Sequence, residues 1–146
     1  MQYPSYSFRQ ADEATQFFFE SIGPKGVIQK AVIFSLISEP TVYNLALGDV
    51  KPNTAEVDDQ SVSDNGDTAV ILATIFQITH QFLSANPTFT VLFRGNSASR
   101  NRLYRMAINR EKEELLSYFS MFGYYHDSWE EFWPNRPYVA FLIRKK

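Results

Sequence analysis

The sequence predicts an α+β fold: a single domain over residues 1–146, with elements in the order βββ-α-β-α-ββ and a mostly antiparallel sheet carrying two main helices. Three observations point to it. Three apolar, aromatic-rich runs follow one another between residues 16 and 47, separated by short Gly- and Pro-containing turns. Thr68–Ala85 repeats its apolar residues with helical periodicity. Thirteen Phe and eight Tyr in 146 residues favour a packed sheet over a disordered chain.

In chain order, residues 1–15 are polar and fit an edge strand or an ordered arm. Gln16–Ile22 (QFFFESI) and Val27–Ile37 (VIQKAVIFSLI) have strand composition. Gly23-Pro24-Lys25-Gly26 between them is a hairpin signal, with Pro presetting the turn and Gly relieving its other positions. Thr41–Leu47 (TVYNLAL) follows the Ser38-Glu39-Pro40 turn, which makes an antiparallel meander. Gly48–Asp67 lacks apolar periodicity. From Lys51 onward it sets Glu56, Asp58, Asp59, Asp64 and Asp67 against one lysine, and a loop so long in a compact domain is functional or mobile.

Thr68–Ala85 is the clearest helix. Asn65 or Asp67 can cap it, and Asn86-Pro87 ends it. Ile71, Leu72, Ile75, Phe76, Ile78, Phe82 and Leu83 share a wide face suited to a sheet, with Gln77, His80 and Gln81 opposite. Thr88–Phe93 reads as a buried strand, Arg94–Ser97 as a polar turn, and the following residues as a helix carrying Arg100, Arg102 and Arg105. Arg110–Phe119 continues or restarts that helix. Ser120–His126 and Tyr138–Arg144 are the last two strands, joined by the aromatic, acidic link DSWEEFWPNRP.

Composition narrows the function classes. A net charge of −2 argues against coating nucleic acid by bulk charge, and leaves room for a local basic patch. The absence of cysteine excludes disulfides, thiolate catalysis and cysteine-based zinc sites. The N-terminus has neither the basic start nor the apolar run of a secretory signal. Apolar runs fall well short of the roughly 18 residues of a membrane span. A cytoplasmic protein is expected, with no membrane partner, no cofactor and no metal.

The element order resembles the ribonuclease-H-like arrangement. Nucleases of that fold need several carboxylates on the first strand, the first helix and the end of the fourth strand. Here the first strand offers only Glu20, the long helix has no interior acid, and the fourth strand runs into Asn96. That activity is not expected.

Three segments, YNLALGD (Tyr43–Asp49), NGDTAVILATI (Asn65–Ile75) and FRGNSASRNRLYRMAI (Phe93–Ile108), with the GPKG turn (Gly23–Gly26), carry a family resemblance. Together they resemble a family of bacterial proteins of about this length, mainly from Bacteroidetes, known only as a domain of unknown function. In that family the turn usually reads Gly-Ser-Thr and the helix Arg-Thr-Arg-Leu-Tyr. Here they are Gly95-Asn96-Ser97 and Arg100-Asn101-Arg102-Leu103-Tyr104, so the arginines stay while the small polar residues change. The resemblance implies a free-standing domain and carries no assigned activity.

The strand–turn–helix at Thr88–Ile108 is the first candidate site. A helix opening after such a turn presents unpaired N–H groups to an anion. Gly95, Asn96, Ser97 or Ser99 and the fork of Arg100 then form an anion clamp for a phosphate or carboxylate. On the wheel Arg100 falls beside Leu103, Tyr104 and Ala107, towards the protein. Arg102, Arg105 and Asn109 fall opposite. The competing reading pairs Arg100 with Asp49 or Asp67 as a structural ion pair.

The second candidate is Asn44 with Gly48-Asp49. Alternation puts Asn44 on the face opposite Tyr43, Leu45 and Leu47, and Asp49 leaves the strand at its end, as a base, a metal ligand, a partner of Arg100 or a turn cap. The third, Asn65–Thr68, lacks the EF-hand pattern, and helix capping accounts for Asp67. His80 and His126 show no catalytic spacing. Trp129, Phe132 and Trp133 fit a lid over the sheet edge or an aromatic binding surface.

Two functions stay open. One is a binding or regulatory module that recognises a phosphorylated ligand or RNA at Gly95–Arg105 beside a protein partner, as small stress or toxin–antitoxin proteins do. The other is an enzyme of unknown class acting on an anionic substrate with Asp49, Asn44 and Arg100.

Overall fold

The computed structural model describes residues 3–38, 40–54, 56–58, 64–95 and 97–146. The elements are β1 (Phe8–Gln10), β2 (Gln16–Gly23), β3 (Gly26–Ser38), β4 (Val42–Val50), β5 (Val57–Asp58), α1 (Thr68–Ala85), β6 (Thr90–Phe93), α2 (Ala98–Arg110), α3 (Lys112–Tyr118), β7 (Phe119–Tyr125), β8 (Ser128–Glu131) and β9 (Phe141–Lys145). The strands form one open sheet in the order β1-β2-β3-β4-β6-β9-β7-β8, with β5 added to the end of β4. Among the described residues every pairing is antiparallel except β4 with β6, which α1 connects. The α+β architecture, the meander and both main helices stand as the sequence predicts.

Period-two alternation sets the two faces of the sheet. Phe17 and Phe19 of β2, Val32 and Phe34 of β3, Leu45 of β4, and Val91 and Phe93 of β6 are all buried on the face that receives α1. The Phe34 and Phe82 rings stack there with centroids 3.9 Å apart, and Phe76 of α1 meets Phe93 edge-on at 6.0 Å. Burial extends round α1 beyond one stripe, to Ala73, Thr74 and Thr79. The N-terminal arm causes part of this: the Tyr6 N–H donates to the Thr74 hydroxyl at 2.8 Å. His80 packs its ring against Tyr118 and Phe119, at 4.6 and 5.9 Å, as a core-rim residue.

The GPKG hairpin is present, with Gly23 paired to Gly26 and Gly26 at φ +89°. It is clamped from afar by the NGDT segment. Asn65 Oδ1 accepts the Lys25 N–H at 2.7 Å, and its amide donates to the Gly26 carbonyl at 3.0 Å. A Cβ at Gly23 would meet the Asn65 carbonyl at 1.9 Å, so this contact requires glycine. Two of the segments that carry the family resemblance are therefore one contact in space.

Asp67 occupies the N-cap position of α1 without capping it through its side chain. Its Oδ2 accepts instead from the Tyr6 hydroxyl at 2.5 Å and the Ser21 hydroxyl at 2.6 Å. Burial, and then this bond to Asp67, hold the Tyr6 hydroxyl above its ordinary pKa, so Tyr6 stays a donor.

Other boundaries differ from expectation. β4 does not stop at Leu47 but runs to Val50, because β5, inside the acidic loop, pairs with Asp49 and Val50. The aromatic link contributes β8, joined to β7 by a two-residue turn in which His126 and Asp127 have φ of +49° and +62°. That is type I′ geometry without its usual glycine. The helix after the arginine turn breaks at Glu111 into α2 and α3, and β9 begins at Phe141 rather than Tyr138.

Candidate functional site: a pocket at the end of β6

β4 keeps β6 at its side only as far as Leu45, and meets β5 from Asp49 onward. Among the described residues the stretch between, Ala46–Gly48, has no strand on that side. The chain leaves β6 at Phe93, turns through Arg94 and Gly95, and enters α2. An open pocket of about 800 Å³ lies at this notch. Crevices beyond the carboxyl end of a parallel strand are the usual ligand sites of sheets with crossover helices, and this volume is typical of small-molecule sites.

The lining takes residues from both sheet faces: by alternation Asn44, Ala46 and Leu92 lie on the face away from α1, and Leu45, Leu47 and Phe93 on the face that receives it, while Tyr104 and Asn101 reach the pocket from α2. Arg94 and Arg100 enter from the turn and the first turn of the helix, and Tyr124, Trp129, Val139 and Ala140 form the far wall. Among the described lining residues there is no carboxylate, histidine, lysine, serine or threonine. Tyr104 stacks on Phe93 with centroids 4.6 Å apart. Burial raises its hydroxyl pKa, and the nearby Arg100 charge draws it partly back, so it remains a proton donor.

The turn is built more tightly than an open anion cradle. The Gly95 N–H donates to Asn101 Oδ1 at 2.6 Å, and the Arg100 N–H donates to the Ser97 hydroxyl at 3.2 Å. Ser97 is thus the N-cap the sequence predicts, with its hydroxyl committed to the helix. Gly95 is fixed by contact: a Cβ would lie 2.6 Å from Arg100 Cβ and 2.8 Å from the Asn101 N. Two N–H groups expected to face an anion are therefore satisfied internally, and the pocket's positive character rests on the arginine side chains.

The structure brings together Asn44, Gly95 and Arg100. It separates the other candidates. Asp49, still within β4, holds Lys30 Nζ at 2.5 Å, with the lysine side chain wholly buried and Asp49 15 % exposed. It lies outside the pocket lining, as do Ser97, Ser99, Arg102 and Arg105. Ser99 and Arg102 are exposed, whereas Arg105 is half-buried and donates to the Tyr138 carbonyl at 3.1 Å. The face of α2 is rotated from the wheel expectation: Tyr104, Ala107 and Ile108 are buried, and Leu103 is exposed. Asn96 lies outside the described residues.

Sequence reasoning missed Asn101 and Tyr124. Tyr124 is legible in hindsight from alternation along β7, but nothing in the spacing announces the bond from Asn101 back to Gly95. Of the aromatic link, Trp129 lines the pocket, Phe132 packs on Tyr138 and Phe141, and Trp133 points outward at 62 % exposure. No group of three or more acidic or histidine side chains able to hold a metal occurs among the described residues. α1 is long and apolar enough to cross a membrane by length and composition, and here its apolar surface lies against the sheet.

Fold and pocket together define an α+β domain with a ligand-sized, arginine-bearing pocket at the end of the parallel pair β4–β6. The chain belongs to the family of unknown function DUF6934, whose model matches residues 2–146. No curated protein and no solved structure matches it.

Proposed function

We propose that this protein is a binding module that takes a phosphorylated small molecule in the β6 pocket, with the phosphate against Arg94 and Arg100. One observation carries the reading: two arginines, Arg94 and Arg100, enter one ligand-sized pocket. Arginine forks suit phosphate oxygens, and a partly enclosed pocket strengthens the interaction over its value in open water. The Tyr104 hydroxyl and the Asn44 amide add neutral donors.

RNA recognition along the outer face of α2 has less support, because Arg105 is half-buried and engaged with the Tyr138 carbonyl, which leaves Arg102 as the exposed one of the two. The enzymatic reading needs a base in the pocket, and Asp49 faces Lys30 instead.

The test is thermal unfolding of wild type, Arg94→Gln and Arg100→Gln with ribose 5-phosphate and with ribose. A site-specific ligand at 100 times its Kd adds about 2.7 kcal/mol of stability. The midpoint is expected to rise with ribose 5-phosphate alone and to lose that rise in Arg94→Gln, an exposed position whose change leaves the fold intact. Equal response to both sugars, or a rise that survives both substitutions, overturns the proposal.

A further inference from the structure

The pocket is far larger than a phosphate group needs, and its far wall has a different chemistry. Tyr124 and Trp129 are cross-strand neighbours on β7 and β8, their rings edge-to-face with centroids 5.1 Å apart. Trp129 stays 41 % exposed, so much of its ring is open to a partner. An indole held by a neighbouring ring and left facing a pocket is a stacking platform for a flat, π-bearing group.

The spacing fits one ligand class. Arg94 follows directly on β6, and Tyr124 sits on β7, two strands away across β9. With neighbouring strands about 4.8 Å apart, the backbones that carry the charged end and the aromatic wall are separated by roughly 10 Å. Ala140, whose carbonyl accepts the Tyr124 N–H at 3.0 Å, lies in that interval with a small side chain. A phosphate at one end, a ring at the other and a sugar-sized gap between them is the outline of a nucleoside monophosphate.

We infer that the ligand is a nucleotide, its base stacked on Trp129 and Tyr124 and its phosphate held by Arg94 and Arg100. This rests on the phosphate-binding reading above and adds the identity of the group that the phosphate carries.

Isothermal titration with AMP, adenosine and ribose 5-phosphate separates the two ideas, using wild type, Trp129→Ala and Trp129→Phe. AMP is expected to bind about tenfold tighter than ribose 5-phosphate, the worth of one stacked base. Trp129→Ala should remove that advantage and leave ribose 5-phosphate unchanged, and Trp129→Phe should restore most of it. In a Trp133→Phe background, AMP should also alter the fluorescence of Trp129. If AMP and ribose 5-phosphate bind alike and Trp129→Ala changes neither, the nucleotide inference fails and the phosphate site stands. If adenosine binds as tightly as AMP through Trp129, the ring platform stands and the phosphate reading fails. If none binds, both fail. A 5′-phosphorylated tetra-adenylate that binds much tighter than AMP assigns the nucleotide to an RNA end; equal affinity assigns it to a free nucleotide.

Discussion

Gly123 lies directly against the ring of Tyr138: a Cβ at position 123 would stand 2.3 Å from a ring carbon. The Tyr138 hydroxyl donates to Glu130 Oε2 at 2.7 Å and accepts the Trp133 N–H at 2.9 Å. One buried side chain thereby fastens the link after β8 onto β7 and sets the start of the pocket's Val139–Ala140 wall. Gly123→Ala forces the ring or the strand to move, and should cost about 1–3 kcal/mol as overpacking does. A urea melt should show a lower midpoint with an unchanged slope. An unchanged midpoint would mean that the ring has room to yield.

The same tyrosine gives the fold a high-pH limit. Burial first, and then the hydrogen bond to the Glu130 carboxylate, push its hydroxyl up to about 12 from an ordinary 10. The folded chain thus holds this proton more tightly than the unfolded chain. Its contribution is full below pH 10 and is lost as the pH rises to about 12. Tyr138→Phe should be less stable than wild type at neutral pH and should flatten the fall in stability over that window. Denaturant midpoints taken with tyrosinate absorbance check both statements.

Lys30 and Asp49 separate a structural role from a catalytic one. The lysine is completely buried on β3, and Asp49 faces it across the β3–β4 ladder. Asp49→Asn breaks an ion pair of a buried ammonium and should cost about 3–5 kcal/mol, whereas replacing both residues by apolar ones of similar size should cost far less. Thermal unfolding of Asp49→Asn and of the Lys30→Met/Asp49→Leu double variant reads this directly. A stable Asp49→Asn variant would return Asp49 to the list of functional candidates.

Much of this fold is written locally. The alternation in Gln16–Ile22, the GPKG turn and the periodicity of Thr68–Ala85 each state a local preference that the tertiary structure keeps. β5 and β8 are different, being strands only because a neighbour pairs with them. The His126-Asp127 turn hides its hairpin by taking positive φ without glycine. Lys30 interrupts an apolar strand, and no local rule says that Asp49 will meet it. At the site, the arginine-bearing turn and the capping Ser97 were legible. So was Arg100 as the inward arginine of the helix, but not Arg94 in the lining or the half-buried Arg105, because the helix face is decided by where Tyr104 and Ile108 find the core. The distinction between Asp67 as a cap and Asp67 as the acceptor for Tyr6 and Ser21 likewise depends on an arm 61 residues away and on a strand 46 residues away.

β6 is four residues long, yet it stands between the ribbon β1–β4 and the ribbon β7–β9. Each ribbon consists largely of hairpins that close locally, while Thr90 must find Val42 on one side and Arg144 on the other. Such distant pairings form late and set the pace of assembly. The central strand is therefore a seam, and its amides should exchange with solvent through openings that leave both ribbons intact. A molecule seated at its end touches both ribbons at once, so occupancy would slow that breathing and bind the two halves of the sheet into one cooperative unit.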